Sequence, residues 1–200
     1  MESNFKLVLL GDSNVGKTSL LLKYVRNEFS EHQQCTLQAN FLQKTVKVGA
    51  ETFTLNIWDT VGQERYRSIA PVYYQNAKGA LLTYDITDKV SLHNVEQWIN
   101  ELKRFADEDI VIFLVGNKAD NEYQRMVSIK DASSFAARFN IDQFQVSAKT
   151  GAGLDNLFTR MAHELYKKLP ASPLARAKSY KKIVLERAED SISQPKKSCC

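Results

Sequence analysis

Apolar and amphipathic segments alternate along the chain. Residues 5–10 are a short run of strand formers stopped by Gly11. Over residues 17–27 the spacing becomes helical, with Leu20, Leu21, Tyr24 and Val25 on one side. Residues 28–40 are polar, have no period and read as a loop. Residues 41–48 and 52–58 alternate about Gly49-Ala50-Glu51, which predicts a hairpin. Residues 79–85 and 110–115 are continuous apolar strands, as in sheet interiors covered on both faces. Helical patterns fall at 91–105 and 131–139, and Ser128 and Asp131 are spaced for a capping box at the second. A last short strand is predicted over 143–146. It is followed by an amphipathic helix over 154–169 with Leu157, Phe158, Met161, Leu165 and Leu169 on its apolar side.

Strands alternating with helices predict an α/β fold: a three-layer, open, mostly parallel six-stranded sheet with helices on both faces. Ligands of such sheets bind at the carboxyl ends of the strands. Pro170 ends the last helix, and prolines, serines and charges dominate beyond it. Residues 1–169 are thus expected to form one domain and 170–200 a flexible tail.

The first strand runs into Gly11-Asp12-Ser13-Asn14-Val15-Gly16-Lys17-Thr18, which has the spacing of a phosphate-binding loop between a strand and a helix. Two glycines let the backbone curl closely round phosphate oxygens. The N–H groups of Ser13 to Ser19 and the helix N-terminus supply positive potential. Lys17 is expected to reach the β- and γ-phosphates, and the Thr18 hydroxyl to hold Mg²⁺. The fold class is therefore that of P-loop NTPases.

Such a loop suits ATP as well as GTP. Asn117-Lys118-Ala119-Asp120, after the strand over 110–115, separates them. A carboxylate at Asp120 can accept from both guanine N1–H and N2–H. Adenine would leave it desolvated and unpaired. Asn117 is placed to brace the neighbouring loops, and the Lys118 stem to cover one face of the base. Ser147-Ala148-Lys149 follows the last strand. An N–H at Ala148 is a candidate for guanine O6, and Lys149 for the flank of the base.

Charge changes the picture only at the end of the chain. The net charge of +4 lies within residues 170–200, where seven bases meet Glu186, Glu189 and Asp190, and residues 1–169 are balanced. A neutral body argues against nucleic acid, and a basic tail suits an anionic surface. Three cysteines, two of them the adjacent Cys199 and Cys200, do not make a disulfide framework. No apolar run reaches the roughly 18 residues of a membrane span, and the N-terminus lacks the pattern of a signal peptide. A cytosolic protein is expected. His32, His93 and His163 have no metal-ligand spacing.

The phosphate loop, Trp58-Asp59-Thr60-Val61-Gly62-Gln63-Glu64, the Asn117 tetrad and Ser147-Ala148-Lys149 occur in the order and spacing of the Ras superfamily of small GTPases. Trp58, Arg65-Tyr66-Arg67-Ser68, Pro71-Val72-Tyr73-Tyr74, Tyr84-Asp85-Ile86-Thr87 and the terminal Cys199-Cys200 resemble the Rab family. Thr36-Leu37-Gln38-Ala39 resembles its endocytic branch. The resemblance implies a switch that binds GTP or GDP with Mg²⁺ and regulates vesicle traffic. In it Asp59 and Thr36 hold the metal with Thr18, Phe29 packs on guanine, Gly62 meets the γ-phosphate and Gln63 orients the attacking water.

No arginine is placed by motif to assist in cis, so an activating protein is implied. An exchange factor, effectors, a prenylation escort and a GDP-dissociation inhibitor follow from the same resemblance. Phe41, Trp58 and Tyr73 match the aromatic positions that Rabs present to effectors; core packing is the other reading of Trp58. Cys199 and Cys200 are expected to be doubly geranylgeranylated, which fixes the protein to the cytosolic face of intracellular, endosomal membranes.

Val61 stands where the family has alanine, and Ser13 where many Ras-like proteins have glycine. Bulk beside Gly62 slows the turn of the loop unless a neighbour repacks. These two positions motivate an alternative, a guanine-nucleotide-binding interaction module with very weak hydrolysis. An ATP-using P-loop enzyme is a third reading, opposed by Asp120.

Overall fold

In a computed structural model of the chain, residues 3–36, 39–49, 51–60 and 70–169 are described. The chain divides into two units, Met1–Lys167 and Lys168–Cys200; of the second only residues 168 and 169 are described.

Among the described residues six strands form: β1 (Ser3–Leu10), β2 (Asn40–Val48), β3 (Glu51–Asp59), β4 (Gly79–Asp85), β5 (Val111–Asn117) and β6 (Asp142–Gln145). Five described α-helices accompany them: α1 (Lys17–Arg26), α2 (Ala70–Tyr74), α3 (Lys89–Phe105), α4 (Ile129–Phe139) and α5 (Leu154–Lys168). The sheet order is β2-β3-β1-β4-β5-β6, and only β2 runs antiparallel to its neighbour. This is the mostly parallel six-stranded sheet that the sequence predicts.

Hydropathy explains the order. β4 is buried at every position and sits inside the sheet, whereas β2 alternates and lies at the edge. One face of the sheet packs Val8, Leu10, Ala80, Leu82, Tyr84 and Leu114 against Tyr74 of α2, against Leu92, Val95, Trp98, Ile99 and Leu102 of α3, and against Ala132 and Ala136 of α4. On the other face Phe158 of α5 stacks on Tyr24 of α1 at 3.7 Å, and Tyr166 meets Phe53 of β3 at 5.3 Å. Two helical layers thus enclose the sheet, as its apolar strands require.

Several boundaries differ from the sequence reading for local reasons. α3 starts two residues before the expected Ser91, because the Asp88 side chain accepts from Val90 N–H as its N-cap. The Ser128 hydroxyl accepts from Asp131 N–H, so α4 begins at Ile129. α2 is five residues long, too short for a 3.6-residue period to register. It is fixed by tertiary contact instead: Tyr74 is buried and its hydroxyl donates to Glu101 of α3 at 2.8 Å. No described helix is long and apolar enough to cross a membrane.

Candidate functional site

The loops after β1, α1, β3, β5 and β6 meet round one cavity of about 480 Å³. Its phosphate side is built by residues 11–16. Gly11 has φ +138°, and a Cβ there would strike the Thr83 carbonyl. Gly16, the residue that starts α1, has φ +90°, and a Cβ would strike Asn117 Nδ2. The two glycines are required by strand β4 on one side and by the end of β5 on the other.

Lys17 is almost fully buried in this loop, and its ammonium donates to the carbonyls of Gly11 at 2.8 Å and Asp12 at 2.7 Å. Burial pulls its pKa down to about 8, opposed by the charges of Asp59 and Asp12. Next to it Thr18 Oγ1 lies 2.6 Å from Thr36 Oγ1 and donates to Asp59 Oδ2 at 2.7 Å. Helix α1, the loop after it and the end of β3 thus bring three oxygen donors to one point. Asp59 Oδ1 is buried without a hydrogen-bond partner. Burial pushes the Asp59 carboxyl upward, against the Thr18 hydroxyl and the Lys17 charge. An all-oxygen donor set with an orphaned carboxylate oxygen suits Mg²⁺, a hard cation. Among the described residues no group of three His, Cys, Asp or Glu is arranged for a metal.

The base side is organised by Asn117. Its Nδ2 donates to Val15 C=O at 2.8 Å, and its Oδ1 accepts from Ala148 N–H at 3.0 Å. One buried amide therefore ties the phosphate loop to the loop after β6. The Ala148 N–H expected for guanine O6 is already engaged by Asn117, so a base must share that donor or displace the amide oxygen. Asp120 Oδ1 accepts from Ser147 Oγ, which orients the carboxylate. Lys118 takes a left-handed φ of +66°, and its ammonium pairs with Asp85 Oδ2 at 2.6 Å. Asp85 is itself fixed by Thr87, whose N–H and hydroxyl donate to Oδ1 at 2.8 and 2.7 Å. With its charge held there, the Lys118 stem lines the wall. Across the mouth Lys149 Nζ meets Glu31 Oε1 at 2.7 Å.

Of the residues expected at the nucleotide, Ser13, Asn14, Gly16, Lys17, Thr18, Ser19, Phe29, Thr36, Asn117, Lys118, Asp120, Ala148 and Lys149 line the cavity. Val15 and Ser147 do not; they are buried behind it, supporting Asn117 and Asp120. Val61, Gly62 and Gln63 fall outside the described residues, as do Cys199 and Cys200. Sequence reasoning missed Glu31, Cys35, Asn121 and Tyr123 on the wall, and Asp85 behind Lys118. Asp85 had a signal, an acid at the carboxyl end of an apolar strand. The others lie in aperiodic segments that carry none.

Phe41, Trp58 and Tyr73 come together beside the site. Phe41 and Trp58 are directly opposed across β2 and β3 and stack at 5.3 Å, while Tyr73 of α2 lies 6.2 Å from Trp58. Phe41 is exposed. Trp58 and Tyr73 are half-buried and rest on the core, which is the packing reading of Trp58.

Residues 6–167 match the Ras family. The Ras-related protein Rab11B of Nicotiana tabacum is 47% identical over 163 residues, covering 82% of this chain and 75% of that protein. The Ras-related protein Rab-21 of Homo sapiens is 44% identical over 155 residues, covering 78% and 69%. The Ras-related protein YPTC6 of Chlamydomonas reinhardtii is 41% identical over 203 residues, covering 98% and 94%.

Proposed function

Since the chain belongs to the Rab branch of the Ras family of small GTPases, we propose that the cavity is its guanine-nucleotide site and that residues 28–36 and 59–63 are its switch. The protein hydrolyses GTP to GDP and phosphate, and cycling between the two states regulates vesicle traffic. Its family binds GTP and GDP with Mg²⁺ and works through exchange factors, activating proteins and effectors.

One observation carries the assignment of the site. Thr18 and Thr36 line the cavity that also holds Lys17 and Asp120, and buried Asp59 meets them from behind through Thr18 Oγ1. In this reading Lys17 keeps the Gly11 and Asp12 carbonyls and gives its remaining N–H to the β- and γ-phosphates. Thr18, Thr36 and Asp59 would hold Mg²⁺, which would supply positive charge to the transferring phosphoryl oxygens. Asp120 accepts the two guanine N–H groups, and the Lys118 stem and Phe29 cover the base. Gly62 donates its N–H to the γ-phosphate, and Gln63 orients water for in-line attack. Thr36 and Gly62 lose a partner together when that phosphate leaves, which frees both segments.

The finer assignments are ours as well. Residues 1–169 act as the nucleotide domain, with 170–200 as a basic tether. Cys199 and Cys200 take two geranylgeranyl chains, and two chains give stable anchoring where one is marginal. Phe41, Trp58 and Tyr73 form an effector face. Thr36-Leu37-Gln38-Ala39 supports placement on endosomal membranes, where an escort and a GDP-dissociation inhibitor deliver and retrieve the protein.

Extraction of nucleotide from purified protein, followed by a hydrolysis time course, tests the site. Guanine nucleotide and phosphate release are expected. ATP competing as well as GDP would overturn the assignment.

A further inference from the structure

Asp12 poses an electrostatic problem. It lies inside a loop built to attract anions, between Gly11 and Ser13, and its carboxylate would repel phosphate. The carboxylate does not line the cavity, although Ser13 and Asn14 do. It is turned toward helix α3, where Oδ2 accepts from Asn94 Nδ2 at 2.6 Å and Oδ1 accepts from Trp98 Nε1 at 3.3 Å. Asn94 and Trp98 are one helical turn apart and so share a face. Trp98 is buried in the core cluster, so its donor is held by packing rather than by its own freedom.

We propose that Asn94 and Trp98 are positioning residues for phosphate binding: they hold the Asp12 carboxylate out of the cavity and keep its carbonyl on Lys17. Both donors are neutral. They satisfy the carboxylate's lone pairs without placing a competing cation beside the loop, and a cation there would compete with Lys17 for the phosphates. The same residue then serves two ends. Its carboxylate anchors the loop to α3, and its carbonyl receives Lys17 Nζ at 2.7 Å. Released from α3, Asp12 would present a unit negative charge to the β- and γ-phosphates and misplace the carbonyl that steers Lys17.

The inference rests on the cavity binding nucleotide phosphates, and the experiment separates the two claims. Wild-type full-length protein is first tested with GMP, GDP and GTP by equilibrium titration; failure to bind any of them overturns the site itself. Asn94→Asp places a carboxylate against Asp12 and drives it off α3. Its affinity is expected to fall about tenfold for GDP, more for GTP and least for GMP, because the repulsion grows with phosphate charge. Adding Asp12→Asn restores a donor–acceptor pair with the roles exchanged, and is expected to recover affinity to within about threefold of wild type. Equal losses for all three nucleotides would mark a general loosening of the fold and overturn the tether. So would unchanged affinity in Asn94→Asp, or a double variant no better than the single one.

Discussion

At Asp120 the proposed site rests its choice of base on one carboxylate. Its Oδ1 is set by Ser147, so it is oriented before a ligand arrives. Asp120→Ala is expected to weaken GDP by at least about a hundredfold, since two charge-assisted hydrogen bonds are lost together. ADP should gain nothing in exchange, because removing an acceptor creates no partner for adenine. Titration with a fluorescent GDP analogue and with ADP checks both statements; a loss under about tenfold would remove Asp120 from the base contact. Val61 belongs to the same scale. Under the proposed contact of Gly62 with the γ-phosphate, a β-branched residue before it would restrict the backbone that turns. Val61→Ala is expected to raise the single-turnover hydrolysis rate, and equal rates in the two proteins would exclude the effect.

Between elements, the Glu31–Lys149 pair joins the loop after α1 to the loop after β6 across the mouth of the cavity. The loop that carries Glu31 also carries Phe29 and Thr36, so the pair joins the proposed switch to the opposite wall. Both side chains are more than half exposed, which limits such a pair to a small contribution and makes it sensitive to salt. Glu31→Gln should speed GDP release by about two- to fivefold at low ionic strength. That difference should vanish near 1 M salt, where exposed pairs are screened. The hydrogen bond from Lys149 holds the Glu31 carboxyl below its ordinary value of 4.5. The contact is therefore complete above that value and lost only as pH falls past it. Stopped-flow release across salt concentrations reads both effects, and a Glu31→Gln rate matching wild type at low salt would show that the wall is held by other contacts.

The elements were largely readable from the sequence, and their connections were not. Strands β1, β4 and β5 announce themselves because a buried parallel strand must be apolar throughout, and no surface segment here imitates that. The phosphate loop and the Asn117 tetrad were readable because each is contiguous and follows such a strand. Asn94, Glu31 and Asp85 are different. Each acts through a residue dozens of positions away, and an isolated polar residue carries no period and no local spacing. α2 was missed for a related reason, its helix being fixed by Tyr74 and Glu101 rather than by its own pattern.

At the scale of the described domain, the carboxyl edge of the sheet brings charged groups close together. Lys17 is desolvated and Asp59 has a buried oxygen without a hydrogen-bond partner, which suits the anion and the cation of the proposed site. Bound GDP and Mg²⁺ should therefore stabilise the native state. At a thousandfold excess over the dissociation constant, mass action gives about 4 kcal/mol. For a chain of this size that is a midpoint shift of roughly 8–16 °C. Chelating Mg²⁺ should lower the melting midpoint and speed GDP loss together. A midpoint indifferent to the chelator would show that the oxygen cluster at Thr18, Thr36 and Asp59 does not bind the metal.

The chain has two tryptophans, and both stand against one core cluster, each beside a different part of the proposed site. Trp58 stacks with Phe41 and lies beside Tyr73, just ahead in the chain of the segment proposed as a switch. Trp98 sits in the core with its indole on the carboxylate of Asp12. Indole emission responds to stacking and to nearby charge, so the protein carries an optical gauge at each place. Trp98→Phe leaves only the gauge beside the proposed switch, and Trp58→Phe only the gauge beside the loop. Loading and hydrolysis can then be followed as two separate light signals, with no dye attached.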